Sequence, residues 1–375
     1  MRTYRNSVTA ARRVAGAAAA AGIAVALLAS GGPAALAAPA GASPVMGHPG
    51  APAPHVPGAA GPGGIITTVA GGVGGPGPGT SISLADANGP SCRLPNTVTA
   101  AAGNLYVAEG SVRKVSERTG LLTTPAGTGA AGPPGAGGRA VSAPLGACGI
   151  AVDHAGNLVI ADELRRRIDV VPASTGTSYG RAMTAGHLYP VAGNGGPGAG
   201  GSGVPALRTA LNSPADVALD AAGNIVIADE GTPQFPGPER GSRVRVVAER
   251  TGTFYGQKMT KGDIYTVAGS VAGLGGSGDG GPAVKAAIGE FLLGIRVDAA
   301  GNLVLATSDN FRIRVVAAST GTFYGQPMTA GDIYTVAGGG SGGTANGIPA
   351  AQATLMDPDG VGPGPRREPA ALRYP

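Results

Sequence analysis

Apolar and polar residues alternate in short runs along this chain, and the runs recur in a fixed order. A β-branched stretch appears at Val112 to Val115, Ile168 to Val171, Val244 to Val247 and Ile313 to Val316. The phrase Ile-Tyr-Thr-Val-Ala-Gly occurs at Ile264 to Gly269 and Ile333 to Gly338, with looser copies at Ile66 to Gly71, Leu121 to Gly127 and Leu188 to Gly193. Gly-Asn followed by alternating apolar residues begins at Gly103, Gly156, Gly223 and Gly301. A short apolar run ending in Asp precedes three of these, at Ile150 to Asp153, Val217 to Asp220 and Ile295 to Asp298. Period-two alternation predicts strands, and Asp-x-x-Gly-Asn predicts a tight turn, with Asp capping it and Gly at positive φ. Each period therefore offers four strands, a to d, with a and b forming a hairpin.

A sheet of four such short strands cannot bury both its faces alone, so successive sheets must stack around an axis. The predicted fold class is all-β: a β-propeller of four-stranded antiparallel blades, four complete blades plus a partial one. The blades span roughly 92–127, 146–193, 212–269 and 291–338, within a propeller at 64–361, and the partial blade comes from 64–71 and 355–361. The carrying phrases are Val152 to Asp162, Arg243 to Val247, Arg312 to Val316 and Gly278 to Ala283. Through them the chain resembles the NHL-repeat β-propeller family, including secreted bacterial members and the teneurin propeller. The resemblance implies a propeller whose faces bind protein, glycan or nucleic acid, with related lactonase and lyase propellers using the same frame for catalysis. It also implies about six blades, more than are present.

The ends of the chain differ in composition. Residues 1–37 read as a signal peptide: Arg2, Arg5, Arg12 and Arg13, an apolar stretch from Val14 to Ala29, and Ala35-Leu36-Ala37. This predicts a secreted or cell-envelope protein with no transmembrane segment once the leader is cleaved. Its removal takes four arginines and no acid, so most of the formal +5 charge disappears. With no Trp and 4% aromatics, the chain lacks the basic face and stacking platforms of a nucleic-acid binder. Residues 38–63 are a Pro/Ala/Gly-rich tether. Where the repeat should continue as Ala-Val-Asp-x-x-Gly-Asn-Leu, the chain reads Gly-Pro-Gly-Pro-Arg-Arg-Glu-Pro from Gly362. A one-nucleotide shift permits Ala-Leu-Asp-Pro-Ala-Gly-Asn-Leu, so the irregular tail at 362–375 reads as a frameshifted remnant. An incomplete ring leaves edges open to intermolecular closure, and a truncated nonfunctional product is one reading.

Chemistry-bearing residues are few. The b strands end in Glu109, Asp162, Asp229 and, past Ser308, Asp309; a ring of them suits a hard cation such as Ca²⁺, as in the lactonase-like relatives. The competing expectation is that Asp162 and Asp229 pair with Arg167 and Arg243 and order the loop. Asp153, Asp220 and Asp298 recur as turn caps, whereas a catalytic centre needs unlike residues converging once. His154 and His187 are too few for a zinc site or triad. Inserts between c and d, at 175–187, 251–263 and 320–332, carry Tyr179, Phe254, Tyr255, Phe323 and Tyr324. These aromatics form either an adhesive rim or a cover over the outer strands. Cys92 and Cys148, each just before an inner strand, form a candidate disulfide. The sequence thus reads as a binding scaffold for a protein or cell-wall polymer, with no cofactor expected. A Ca²⁺-dependent hydrolase or lyase is the alternative.

Overall fold

The computed structural model describes residues 77–78, 97–128, 137–231, 240–270, 273–344 and 346–362. The expected signal peptide, the tether, the leading d strand at Ile65 to Ala70, Cys92 and the tail beyond Gly362 lie outside the described residues. Among those described there is no α-helix, and four antiparallel sheets follow one another along the chain. Strands a to d are Thr97–Ala101, Asn104–Glu109, Ser111–Ser116 and Leu121–Ala126 in sheet I. In sheet II they are Ala147–Val152, Leu158–Asp162, Arg167–Val171 and Tyr189–Ala192. Sheet III has Pro214–Leu219, Ile225–Asp229, Arg243–Val247 and Asp263–Ala268. Sheet IV has Leu292–Val297, Leu303–Thr307, Arg312–Val316 and Asp332–Gly338.

Alternation along each strand sends neighbouring side chains to opposite faces, and both faces are used. Ile225 and Ile227 pack toward sheet II, in a core with Val159, Ala161, Ile168 and Val170. Val226 and Ala228, one step out of phase, pack toward sheet IV against Ile295, Leu303 and Leu305. Tyr106, Ala108 and Val112 of sheet I meet Ile150, Leu158 and Ile160 of sheet II in the same way. The a strands of successive sheets lie side by side at the centre. This is the β-propeller arrangement, with its cores between blades and its a strands innermost.

The loops leading to the a strands add to the sheets they precede. Gly77–Pro78, Val204–Pro205 and Gly281–Pro282 each pair with strand d of the sheet that follows them, and Arg139 bridges His187 at the same place beside sheet II. Each loop runs out to the rim, adds a two-residue strand, or beside sheet II a single bridge, to the open edge and returns inward, leaving that edge no longer free to template pairing with another chain. The c-to-d inserts form separate two-stranded hairpins, Gly176–Ser178 with Arg181–Met183, Gly252–Phe254 with Gln257–Met259, and Gly321–Phe323 with Gln326–Met328.

Candidate functional site

Each b-strand acid is engaged locally. Asp229 is fully buried; it accepts hydrogen bonds from the amides of Asn212 (2.7 Å) and Ser213 (3.2 Å), and Arg243 Nη2 donates at 2.8 Å. Asp162 accepts from Gly146 N at 3.1 Å, and Asp309 from Glu290 N at 2.9 Å. Glu109 pairs with Arg113. The three aspartates thus hold the chain where it enters strand a, satisfying amides that would otherwise be buried without acceptors. Among the described residues no group of three or more His, Cys, Asp or Glu is arranged to hold a metal ion, so Glu109, Asp162, Asp229 and Asp309 do not form the expected ring. Asp229 pairs with Arg243 as expected, but Asp162 pairs with Arg165 at 3.1 Å. Arg167 turns instead to Asp169, 3.5 Å away, because the two share one face of strand c.

Asp169 stands where sheets III and IV carry Arg245 and Arg314, as its pairing opposite Ile160 shows. Both arginines are fully buried and donate to loop carbonyls, Arg245 to Ala199 and Gly201 and Arg314 to Ala287 and Ser277. Desolvation lowers the Arg245 pKa to about 10. Asp169 is equally buried but accepts no hydrogen bond; burial and the nearby Asp162 charge raise its pKa to about 7.

The inserted hairpins dock in one repeated manner. Asp153, Asp220 and Asp298 each accept at Oδ1 from two amides of their own turn and at Oδ2 from the turn Asn. Each Oδ2 also accepts from a hairpin tyrosine hydroxyl: Tyr179 at 3.0 Å, Tyr255 at 3.0 Å and Tyr324 at 2.8 Å. All three tyrosines sit at positive φ, about +50°, and burial raises the pKa of each. Phe254 and Phe323 lie half-buried against the neighbouring core. Of the rim aromatics, Tyr255 is 6% exposed and Tyr324 is 52% exposed. Sheet I has Ala101 in place of the turn Asp and no hairpin, so the Asp belongs with the hairpin it anchors.

One convergence was not foreseen. Asp216, 1% exposed on strand a of sheet III, accepts from Thr97 Oγ1 of sheet I (2.9 Å), Val217 N (2.8 Å), Ile295 N (3.0 Å) and Arg296 Nη1 of sheet IV (2.5 Å). A single carboxylate thus ties three sheets together at the axis. Gly149 makes this approach possible, since a Cβ there would stand 2.5 Å from the Asp216 Cα. The signal was readable: at equivalent places on strand a the other sheets carry Thr97, Gly149 and Gly294, and Asp216 is the one charged residue among them. Cys148 is disulfide-bonded; Cys92, its expected partner, is outside the described residues.

No family model matches the chain, and no curated protein does. Among solved structures it is similar to a protein of unknown function from Bacteroides thetaiotaomicron (16% identity, 57% of this chain and 44% of that chain, TM-score 0.40). Another is an auxiliary nutrient binding protein from the same organism (13%, 72% and 64%, 0.36). A third is the calcium-binding protein regucalcin from Agrobacterium tumefaciens (12%, 68% and 61%, 0.37). The chain spans less than two thirds of the length of each, and at these identities no residue role transfers.

Proposed function

We propose that the chain is an exported, non-catalytic binding scaffold whose partner is a protein or cell-wall polymer met along the hairpin rim. The observation that carries this reading is the identical anchoring of three hairpins by Tyr179, Tyr255 and Tyr324. Each hairpin exposes the same residue in the middle of its first strand, Thr177, Thr253 and Thr322. Gly256 and Gly331 approach one another, so the hairpins of sheets III and IV adjoin. A rigid surface repeating one group at fixed spacing suits a partner that also repeats, because each added contact binds at high effective concentration. This favours a wall polymer over a globular protein. The engagement of the b-strand acids by amides and arginines supports a structural role for them over metal chemistry. Export rests on the leader, and no helix among the described residues is long and apolar enough to cross a membrane.

Co-sedimentation of the full chain with insoluble peptidoglycan tests the proposal. Saturable binding that falls at least several-fold in the triple variant Thr177→Arg, Thr253→Arg, Thr322→Arg is expected. Turnover of a lactone or ester that requires Ca²⁺ and Asp229, without wall binding, would overturn it.

A further inference from the structure

Strand a carries two residues that occur once where the repeat holds small neutral ones. Two places beyond Asp216 and its equivalents, the register aligns Thr99, Ala151, Ala218 and Arg296, opposite Tyr106, Val159, Val226 and Val304 of strand b. Residues two apart share a face of the strand. Asp216 and Arg296 therefore come from neighbouring sheets, as unlike residues meeting at one point of the innermost layer.

The meeting leaves half of the guanidinium unused. Arg296 Nη1 donates to Asp216 Oδ2 and to the Ile295 carbonyl, both at 2.5 Å. Nε and Nη2 have no partner among the described residues, and the side chain keeps 19% of its exposure whereas Asp216 keeps 2%. Asp216 is itself fixed by two backbone amides and Thr97, so its carboxylate orients the guanidinium plane before any ligand arrives. The remaining edge, Nε with Nη2, is the fork that meets a carboxylate in two parallel hydrogen bonds. Asp216 already offsets the one positive charge, which suits a singly charged group better than a dianionic phosphate.

We propose that Arg296 is a carboxylate-binding anchor at the propeller axis, held ready by Asp216, for the carboxylate of a sugar acid or a peptide end. The site is separate from the hairpin rim and stands whether or not the rim binds a polymer.

Calorimetric titration of the full chain with D-glucuronate, N-acetylglycine and neutral D-glucose tests this. Saturable binding of at least one carboxylate, with none of glucose, is expected. Affinity should fall at least ten-fold in Arg296→Gln and less in Arg296→Lys, which keeps the charge but loses the fork. Glucuronate without N-acetylglycine identifies a sugar acid, and the reverse a peptide carboxylate. Because Arg296→Gln also removes a contact between sheets, its circular dichroism and unfolding midpoint are measured alongside, and Arg296→Lys carries the test if the Gln variant does not fold. Undiminished binding in folded Arg296→Gln, equal binding of glucose, or no carboxylate binding to the parent chain overturns the proposal. None of these outcomes bears on hairpin variants in the peptidoglycan assay, so the two readings fail separately.

Discussion

Replacing Asp229 by Ala separates a structural carboxylate from a metal ligand. The side chain is fully buried and receives two amide hydrogen bonds and one from Arg243, with Arg245 Nη1 a further 3.8 Å away. Breaking a buried ion pair by deleting one partner costs about 3–5 kcal/mol, since the remaining charge is left buried and uncompensated. The amides of Asn212 and Ser213 lose their acceptor as well, at about 1–3 kcal/mol each if no water replaces it. These terms overlap in one network and do not simply add. The ion-pair term alone sets the expectation of a ~3–5 kcal/mol loss. At roughly 2–4 °C per kcal/mol for a domain of this size, the midpoint should drop by about 10 °C.

Thermal and urea unfolding in excess EDTA and in millimolar Ca²⁺ provide the assay. The loss should be the same in both, because it arises from amides and guanidinium groups. A drop seen only with Ca²⁺, together with stabilisation of the parent chain by Ca²⁺, would refute the capping argument and place a cation at Asp229. A loss under about 1 kcal/mol in both buffers would show that the buried pair contributes little. Asp229→Asn, which keeps one acceptor for the amides, should fall between parent and Ala.

Other outcomes follow from the same geometry. Gly149→Ala sets a Cβ 2.5 Å from the Asp216 Cα and should cost about 1–3 kcal/mol in urea unfolding, while Gly176→Ala, with nothing within 4 Å, should cost much less. Tyr255→Phe removes a hydroxyl bonded to a carboxylate at 6% exposure and should cost about 1.5–3 kcal/mol. Tyr324→Phe, at 52% exposure, should cost under about 1 kcal/mol, and equal losses would contradict a burial-graded hairpin anchor. Asp169 has its folded pKa raised from 3.8 to about 7, so the folded state holds the proton more tightly than the unfolded chain. Its contribution is full below pH ~4, is lost as pH rises through ~7 and is constant above. Asp169→Asn should flatten that part of the urea-midpoint profile, and an unchanged slope between pH 4 and 7 would exclude Asp169 as its source.

The architecture was legible because the hydrophobic pattern repeats: Gly223-Asn224 followed by Ile225 to Asp229 marks a turn and a strand whatever the surroundings. The edge strands were not, since Val204–Pro205 and Gly281–Pro282 are too short to alternate and look like Gly/Pro-rich loop. Asp162 illustrates a different limit: three arginines follow within five residues, and only the three-dimensional turn decides that Arg165 reaches it. Recurrence led to Glu109, Asp162, Asp229 and Asp309, and recurrence favours structure, because every blade must solve the same capping problem. Asp216 and Arg296 have no counterpart in the other sheets, and Thr97 is 119 residues from the carboxylate it touches. Comparing equivalent positions for the residue that breaks the pattern would have found the pair. In a repeat protein the framework is written in what returns, so a binding site on its axis is best sought in what occurs once.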